Sequence, residues 1–210
     1  MKNYSSKRAK RGKLSYRTPS QFIFQQHLKV SNSKLKKLNQ KIKNCKKCPL
    51  WKAKIKTVPG EGPANSKIMV IGQAPGAEED KTGRPFVGRA GKFLNQLLKI
   101  AKIERKRIFI TSPIKCFPPK NRKPIKKEIQ SCSPYLLEQI KTINPFKFIL
   151  LGEIAFLVFF PNKKFSDFRG KLIKKGRVKY FPTYHPAAGI RFQKFKKILE
   201  KDFKKLPKSF

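Results

Sequence analysis

The sequence predicts a three-layer α/β/α domain around a central, mainly parallel, four-stranded sheet. Three observations carry that expectation. Four short apolar runs, KIMVI, RIFI, FKFILL and KYFPT, lie well apart in the chain. Amphipathic or apolar stretches of helical length separate them. A loop carrying Gly, Ser or Pro follows each run. Strands buried on both faces read as continuous apolar runs, and their alternation with helices is the pattern of a parallel sheet covered on both sides.

Taken in order, residues 1–33 form a basic arm with no acidic residue, expected to be disordered, and residues 34–210 form the domain. SKLKKLNQKIKN places Leu35, Leu38 and Ile42 at helical spacing after Ser33, which predicts a helix capped there. Lys67 to Ile71 is the first strand, and it runs into the loop GQAPGAEEDKTGRPFVGRAG. Gly91 to Ile103 follows as an amphipathic helix, and Arg107 to Ile110 as the second strand. A Pro-rich loop at Pro118 to Pro124 leads to a helix over Ile125 to Ile140. Phe146 to Leu151 is the third strand, Gly152 opens a helical IAFLVFF, and Lys179 to Thr183 is the fourth strand, leading into YHPAAG. Ile190 to Lys205 closes the chain as a helix. Ligands of such sheets bind beyond the carboxyl ends of the strands. The glycine loop, TSPIKC and YHPAAG all follow strands and are expected to meet in one site.

The chain has 52 Lys plus Arg against 11 Asp plus Glu, a net charge of +41. Solubility needs far less, and the excess points to a polyanion partner, most simply nucleic acid. The arm reads as a polyanion-binding tail, or as an organelle-targeting segment, since both are basic and poor in acids. No apolar run reaches the roughly 20 residues of a membrane span. An intracellular protein is expected, in the cytoplasm or nucleoid of a bacterium with an AT-rich genome, with the mitochondrial matrix as the alternative. A monomer is expected.

In a reducing compartment the four cysteines read as ligands or free thiols rather than disulfides. Cys45 and Cys48 form one CxxC, and Cys116 and Cys132 follow far downstream. Zinc and an iron–sulfur cluster both accept four thiolates. A zinc ribbon usually has two CxxC knuckles and this chain has one, which favours the cluster.

These motifs have a family likeness. GEGPANSKIMVIGQAPGAEEDKTGRPFVGRAGKFLNQLL, together with CKKCPLWKAK, ITSPIKCFPPKNRKP, CSPYL and TYHPAAGIR, resembles the family 4 uracil-DNA glycosylases, the iron–sulfur type, in motif order and spacing over about residues 34–205. The resemblance implies a uracil-DNA glycosylase fold and removal of uracil from single- or double-stranded DNA to start base excision repair. It also implies a [4Fe–4S] cluster on Cys45, Cys48, Cys116 and Cys132. Such an enzyme must take the base out of the stack and hold it in a pocket. By the resemblance, Phe86 stacks the base beside Gly72, backbone N–H groups at Gln73 and Ala74 face O2, and His185 donates to the uracil anion.

The chain departs from the pattern at two positions. Gln73 stands where many relatives have Glu, and Ser112 where the family usually has an Asn that reads the uracil edge. An amide offers a donor and an acceptor, a serine one hydroxyl. That departure keeps a second reading alongside the first, a glycosylase-fold protein binding DNA or RNA as a basic structural component. Arg84, Arg89, Arg122, Ile190 and Arg191 are the expected DNA contacts, with Ile190 and Arg191 entering the groove. Glu78, Glu79 and Asp80 are expected to fix the glycine loop by accepting backbone N–H groups.

Overall fold

The computed structural model describes residues 19–210. The first part of the expected arm, residues 1–18, lies outside the described residues. The chain folds into one sheet of five strands in the order β2-β1-β3-β5-β4. β1 (Ile68–Ile71), β2 (Ile108–Thr111), β3 (Lys147–Leu151) and β5 (Val178–Thr183) are the four expected strands and run parallel. The fifth, β4 (Ile173–Lys175), pairs antiparallel with β5 at the edge. It corrects the expected count of four. Its sequence, IKK, carries no apolar alternation, because a strand at a sheet edge is kept short and charged against unwanted pairing.

Helices cover both faces. Val70, Ile108, Ile110, Ile149, Leu151 and Phe181 project from the strands to one face. There they meet Phe93, Leu94, Leu97 and Leu98 of α3 (Arg89–Ile100) and Leu199, Phe203 and Leu206 of α8 (Gln193–Ser209). Met69, Ile71, Phe109, Phe148 and Leu150 project to the other face. They pack on Leu35 of α1 (Pro19–Lys43), on Leu136 and Ile143 of α4 (Lys126–Ile143) and on Ala155 and Phe156 of α5 (Glu153–Phe159). Neighbouring residues of one strand thus feed opposite cores, which is why the runs carry no polar alternation. Each fully buried Leu or Phe contributes about 1.5–3 kcal/mol relative to exposure.

Two helix boundaries differ from the expectation. α1 begins at Pro19 rather than after a cap at Ser33, and Ser33 lies exposed within it. The closing helix is broken at Phe192 into α7 (Pro186–Arg191) and α8. The chain leaves β1 for the α3 layer and β2 for the α4 layer. This divergence opens a crevice beyond the carboxyl ends of the strands, the usual ligand position in such sheets.

Candidate active site

A cavity of about 400 Å³ fills that crevice. The loop after β1 contributes Gln73, Ala74, Pro75, Gly76 and Phe86 to its wall, the end of β2 contributes Thr111 and Ser112, and the segment after β5 contributes His185, Ala188 and Arg191.

The loop explains its own unusual composition. The Glu79 carboxylate accepts from the backbone N–H of Val87 and of Gly88, both at 2.8 Å, and from that of Gly76 at 3.0 Å. Asp80 is buried and accepts from the N–H of Ile55 at 3.0 Å, tying the loop to the segment behind the CxxC. Glu78 pairs with Lys81 at the surface. Two of the three scarce acids therefore close the loop on itself or on the domain, and α2 (Ala77–Thr82) forms between the tied points. Glu79 is the one carboxylate lining the cavity among the described residues, and both its oxygens already accept N–H groups.

The same stitching places Phe86. Its backbone has φ +53°, a left-handed conformation costly for a bulky residue. Arg105 offsets that cost by donating to the Pro85 carbonyl at 2.7 Å and to the Phe86 carbonyl at 3.3 Å. Gly91 is required beneath it, since a Cβ there would stand 1.9 Å from the Phe86 carbonyl oxygen. The ring lies over Gly72, where a Cβ would meet it at 2.8 Å. Its other neighbour is the imidazole of His185, stacked with centroids 5.6 Å apart.

His185 caps α7. Its Nδ1 accepts from the Ala187 N–H at 3.2 Å, which leaves the proton on Nε2. Burial holds its pKa down to about 4, so the ring is neutral at pH 7. Nε2 faces the end of β1, 3.8 Å from where a side chain on Gly72 would begin. The arrangement provides one neutral N–H donor of defined tautomer beside an aromatic face.

Ser112 is buried, and its hydroxyl donates to the Ile114 carbonyl at 2.5 Å. With its single proton held by its own loop, Ser112 meets the cavity as an acceptor. The loop then continues to the cysteines. Cys45, Cys48, Cys116 and Cys132 line one small pocket with Trp51, Lys115 and Tyr135. Cys116 and Cys132 are buried, and Cys45 and Cys48 half-buried. No disulfide links the four thiols. Burial pushes the Cys116 thiol up to about 12 and the Cys132 thiol up to about 11. Among the described residues no three His, Cys, Asp or Glu side chains are arranged to hold a single metal ion. The four thiols thus share one small pocket. Between the two pockets lies Lys115, 1% exposed. Its Nζ donates to Thr111 Oγ1 at 2.6 Å and to Gln139 Oε1 at 2.7 Å, joining the wall of the first cavity to helix α4.

The structure gathers Gln73, Ala74, Phe86, Ser112, Arg122, His185 and Arg191 around one cavity, with Gly72 under the Phe86 ring. It gives some of the expected contacts other partners. Ile190 packs against the α3–α8 core rather than standing in the crevice. Arg84 grips Glu61 with bonds of 2.7 and 3.0 Å, and Arg122 grips buried Glu128 at 2.6 and 2.9 Å. Both thereby fasten loops. Arg89 and Arg191 are exposed. Lining residues that the sequence reading did not single out include Val58, Asn121, Lys123 and Phe192. Asn121 has φ +56° in the Pro-rich loop, and Phe192 was hidden inside an expected continuous helix.

The fold, the aromatic over a glycine and the histidine after β5 define the uracil DNA glycosylase superfamily, whose sequence model matches residues 59–206. Within it, the chain is similar to three type-4 uracil-DNA glycosylases. It is 46% identical to that of Sulfurisphaera tokodaii over 182 residues, 82% of this chain and 83% of the relative. It is 44% identical to that of Saccharolobus solfataricus, covering 79% of this chain and 81% of the relative. It is 42% identical to that of Thermotoga maritima, covering 73% and 82%. The chain belongs to the type-4 uracil-DNA glycosylase family.

Proposed function

We infer that the protein hydrolyses the N-glycosidic bond of uracil in DNA, the opening step of base excision repair. One observation carries this reading: a neutral His185 whose Nε2–H stands at the end of β1 beside Phe86. As the C1′–N1 bond breaks, its electron pair moves onto the base and negative charge collects on the uracil oxygens. Water bonds to C1′, and its proton goes to the departing base. A fixed donor aimed at developing charge lowers this barrier, because no reorganisation is needed at the moment of reaction. Neutral imidazole does this without losing a proton. Phe86 stacks the flipped base over Gly72, and the backbone at Gln73 and Ala74 faces O2 from the turn. Ser112, an acceptor, takes the uracil N3–H.

Cys45, Cys48, Cys116 and Cys132 share one pocket that could hold a [4Fe–4S] cluster, and the single CxxC favours it over a zinc ribbon. Bound there, a cluster would tie α1, the loop after β2 and α4 together through its thiolates. The protein acts as a monomer on DNA inside the cell. The basic arm and Arg89 with Arg191 hold the phosphates. Among the described residues no helix is long and apolar enough to cross a membrane. The reading as a non-catalytic binding component is not favoured, because His185 and Phe86 are both in place. The test is release of uracil from a single-stranded oligonucleotide by the unsubstituted protein and by His185→Ala. Absence of release by the unsubstituted protein, with binding intact, overturns the reading.

A further inference from the structure

The stacking ring of the cavity belongs to the glycine loop, but part of what holds it lies outside that loop. We propose that Arg105 is a positioning residue for uracil excision: its guanidinium holds the two peptide groups that flank the Phe86 Cα and so fixes the ring on which the base stacks. This rests on the reading of the cavity as a uracil pocket.

Arg105 stands between α3 and β2, outside every motif singled out in the sequence. The Pro85–Phe86 peptide presents its carbonyl to Arg105 Nη2 at 2.7 Å, and the Phe86–Val87 peptide presents its carbonyl to Nη1 at 3.3 Å. The N–H of that second peptide, on Val87, donates to the Glu79 carboxylate at 2.8 Å. The Phe86–Val87 group is therefore gripped at both ends, by a cation on its carbonyl and an anion on its N–H. Peptide groups are planar, so two held planes restrain the φ and ψ between them. A phenylalanine at φ +53° requires such a restraint, because the conformation is costly and persists only where its surroundings impose it. The direction of the ring follows, since the rotamers open to a side chain depend on its backbone. Nη1 also donates to Asn95 Oδ1 of α3 at 2.9 Å, so a helix holds the guanidinium in turn.

The chemistry calls for arginine. Two successive carbonyls and an amide oxygen are met by one planar group whose donors diverge at fixed angles, whereas an ammonium is a point charge on a flexible stem. Arg105 is half-buried behind the loop and does not line the cavity, so its route to the base runs through Phe86.

The experiment compares the unsubstituted protein with Arg105→Lys, Arg105→Met, Phe86→Ala and the double variant Phe86→Ala with Arg105→Lys. It measures excision from a single-stranded uracil oligonucleotide, inhibition of that excision by free uracil, and binding of the same oligonucleotide carrying an abasic site. Both Arg105 variants are expected to weaken inhibition by uracil and to lower kcat/KM by about 5- to 150-fold, the range that one base–aromatic stack is worth. Binding of the abasic oligonucleotide should not change, because it offers no base to stack. On the Phe86→Ala background Arg105→Lys is expected to add nothing, since an effect carried by one ring disappears with that ring. Arg105→Lys keeps the charge and the stem, and it carries the test if Arg105→Met fails to fold. Unfolding of both, equal losses of uracil inhibition and abasic binding, an undiminished further loss on the Phe86→Ala background, or no loss in either Arg105 variant overturns the positioning role and leaves uracil excision standing. No excision by the unsubstituted protein overturns the uracil reading and the positioning role with it.

Discussion

The segment Ser112 to Cys116 borders two pockets with opposite characters. On one side Ser112 faces an open cavity whose polar atoms are already oriented by the protein itself. Glu79 is filled by three N–H groups, Ser112 by its own loop carbonyl, and His185 Nδ1 by the Ala187 N–H, which leaves the His185 Nε2–H aimed inward. On the other side Cys116 faces a closed pocket of four thiols whose buried members resist ionisation. The first pocket is organised before its ligand arrives. The second reaches charge balance only when the thiols give their protons up to a metal. The two should therefore fail differently: damage to the first alters chemistry and spares the fold, and damage to the second alters the fold.

The largest effect is expected from His185→Ala. Excision should drop about 10²- to 10³-fold, as for loss of one oriented oxyanion donor. Thermal unfolding should move little, since the side chain makes one hydrogen bond at the end of a short helix. A parallel loss of melting temperature would break the contrast between the pockets.

Acid titration is next. The His185 pKa lies near 4 in the folded protein against about 6.5 unfolded. Between those values the unfolded chain binds a proton that the native chain does not. Stability therefore rises with pH across this window and is lost as pH falls from about 6.5 toward 4, by about 3 kcal/mol from this group. Urea unfolding at a series of pH values measures it. The excision rate should show no inflection near pH 6.5, because the ring is already neutral there.

Cys132→Ala tests the other pocket. Anaerobically purified protein should contain about four irons per chain, and the variant should lose them. The variant should also lose at least about 1–3 kcal/mol of stability from the unfilled space and unpaired neighbours. Excision per folded molecule should change far less than in His185→Ala. Stoichiometric zinc in the unsubstituted protein would overturn the cluster.

Ser112→Asn sharpens the contrast from within the shared segment. An amide restores a donor and an acceptor on the base edge, worth about 1–3 kcal/mol in uracil over cytosine discrimination. It must displace the hydrogen bond to Ile114, so Ser112→Asn with Pro113→Val, which relaxes the loop, is the fairer variant. Unchanged discrimination in both would remove Ser112 from the edge. The smallest effect belongs to the arm. Deleting residues 1–18 should flatten the salt dependence of binding to undamaged duplex, by about 0.9 in log–log slope for each phosphate that the arm neutralises.

Much of this was legible along the chain. The four parallel strands stood out because burial on both faces leaves no polar position in them. Phe86, His185 and the four cysteines stood out because each sits in a short motif that resembles one of the family. The glycine loop was legible for the same reason, since Gly72 and Gly91 exist to let the Phe86 ring and its carbonyl close in. What local pattern could not supply was the partner of each charge. Arg84 and Arg122 look alike in sequence to Arg89 and Arg191, yet the first pair finds Glu61 and Glu128 only when distant segments meet. Strand β4 carried no apolar signature, because an edge strand is selected for pairing on one side and charge on the other. The fate of Ile190 and Phe192 was decided the same way. Both fell inside one expected helix, and the break between α7 and α8 left one packed on the core and the other at the mouth of the pocket. Sequence alone determined which residues could do the chemistry; tertiary packing decided which stay free to do it, because a side chain's availability depends on what the rest of the fold has already given it to hold.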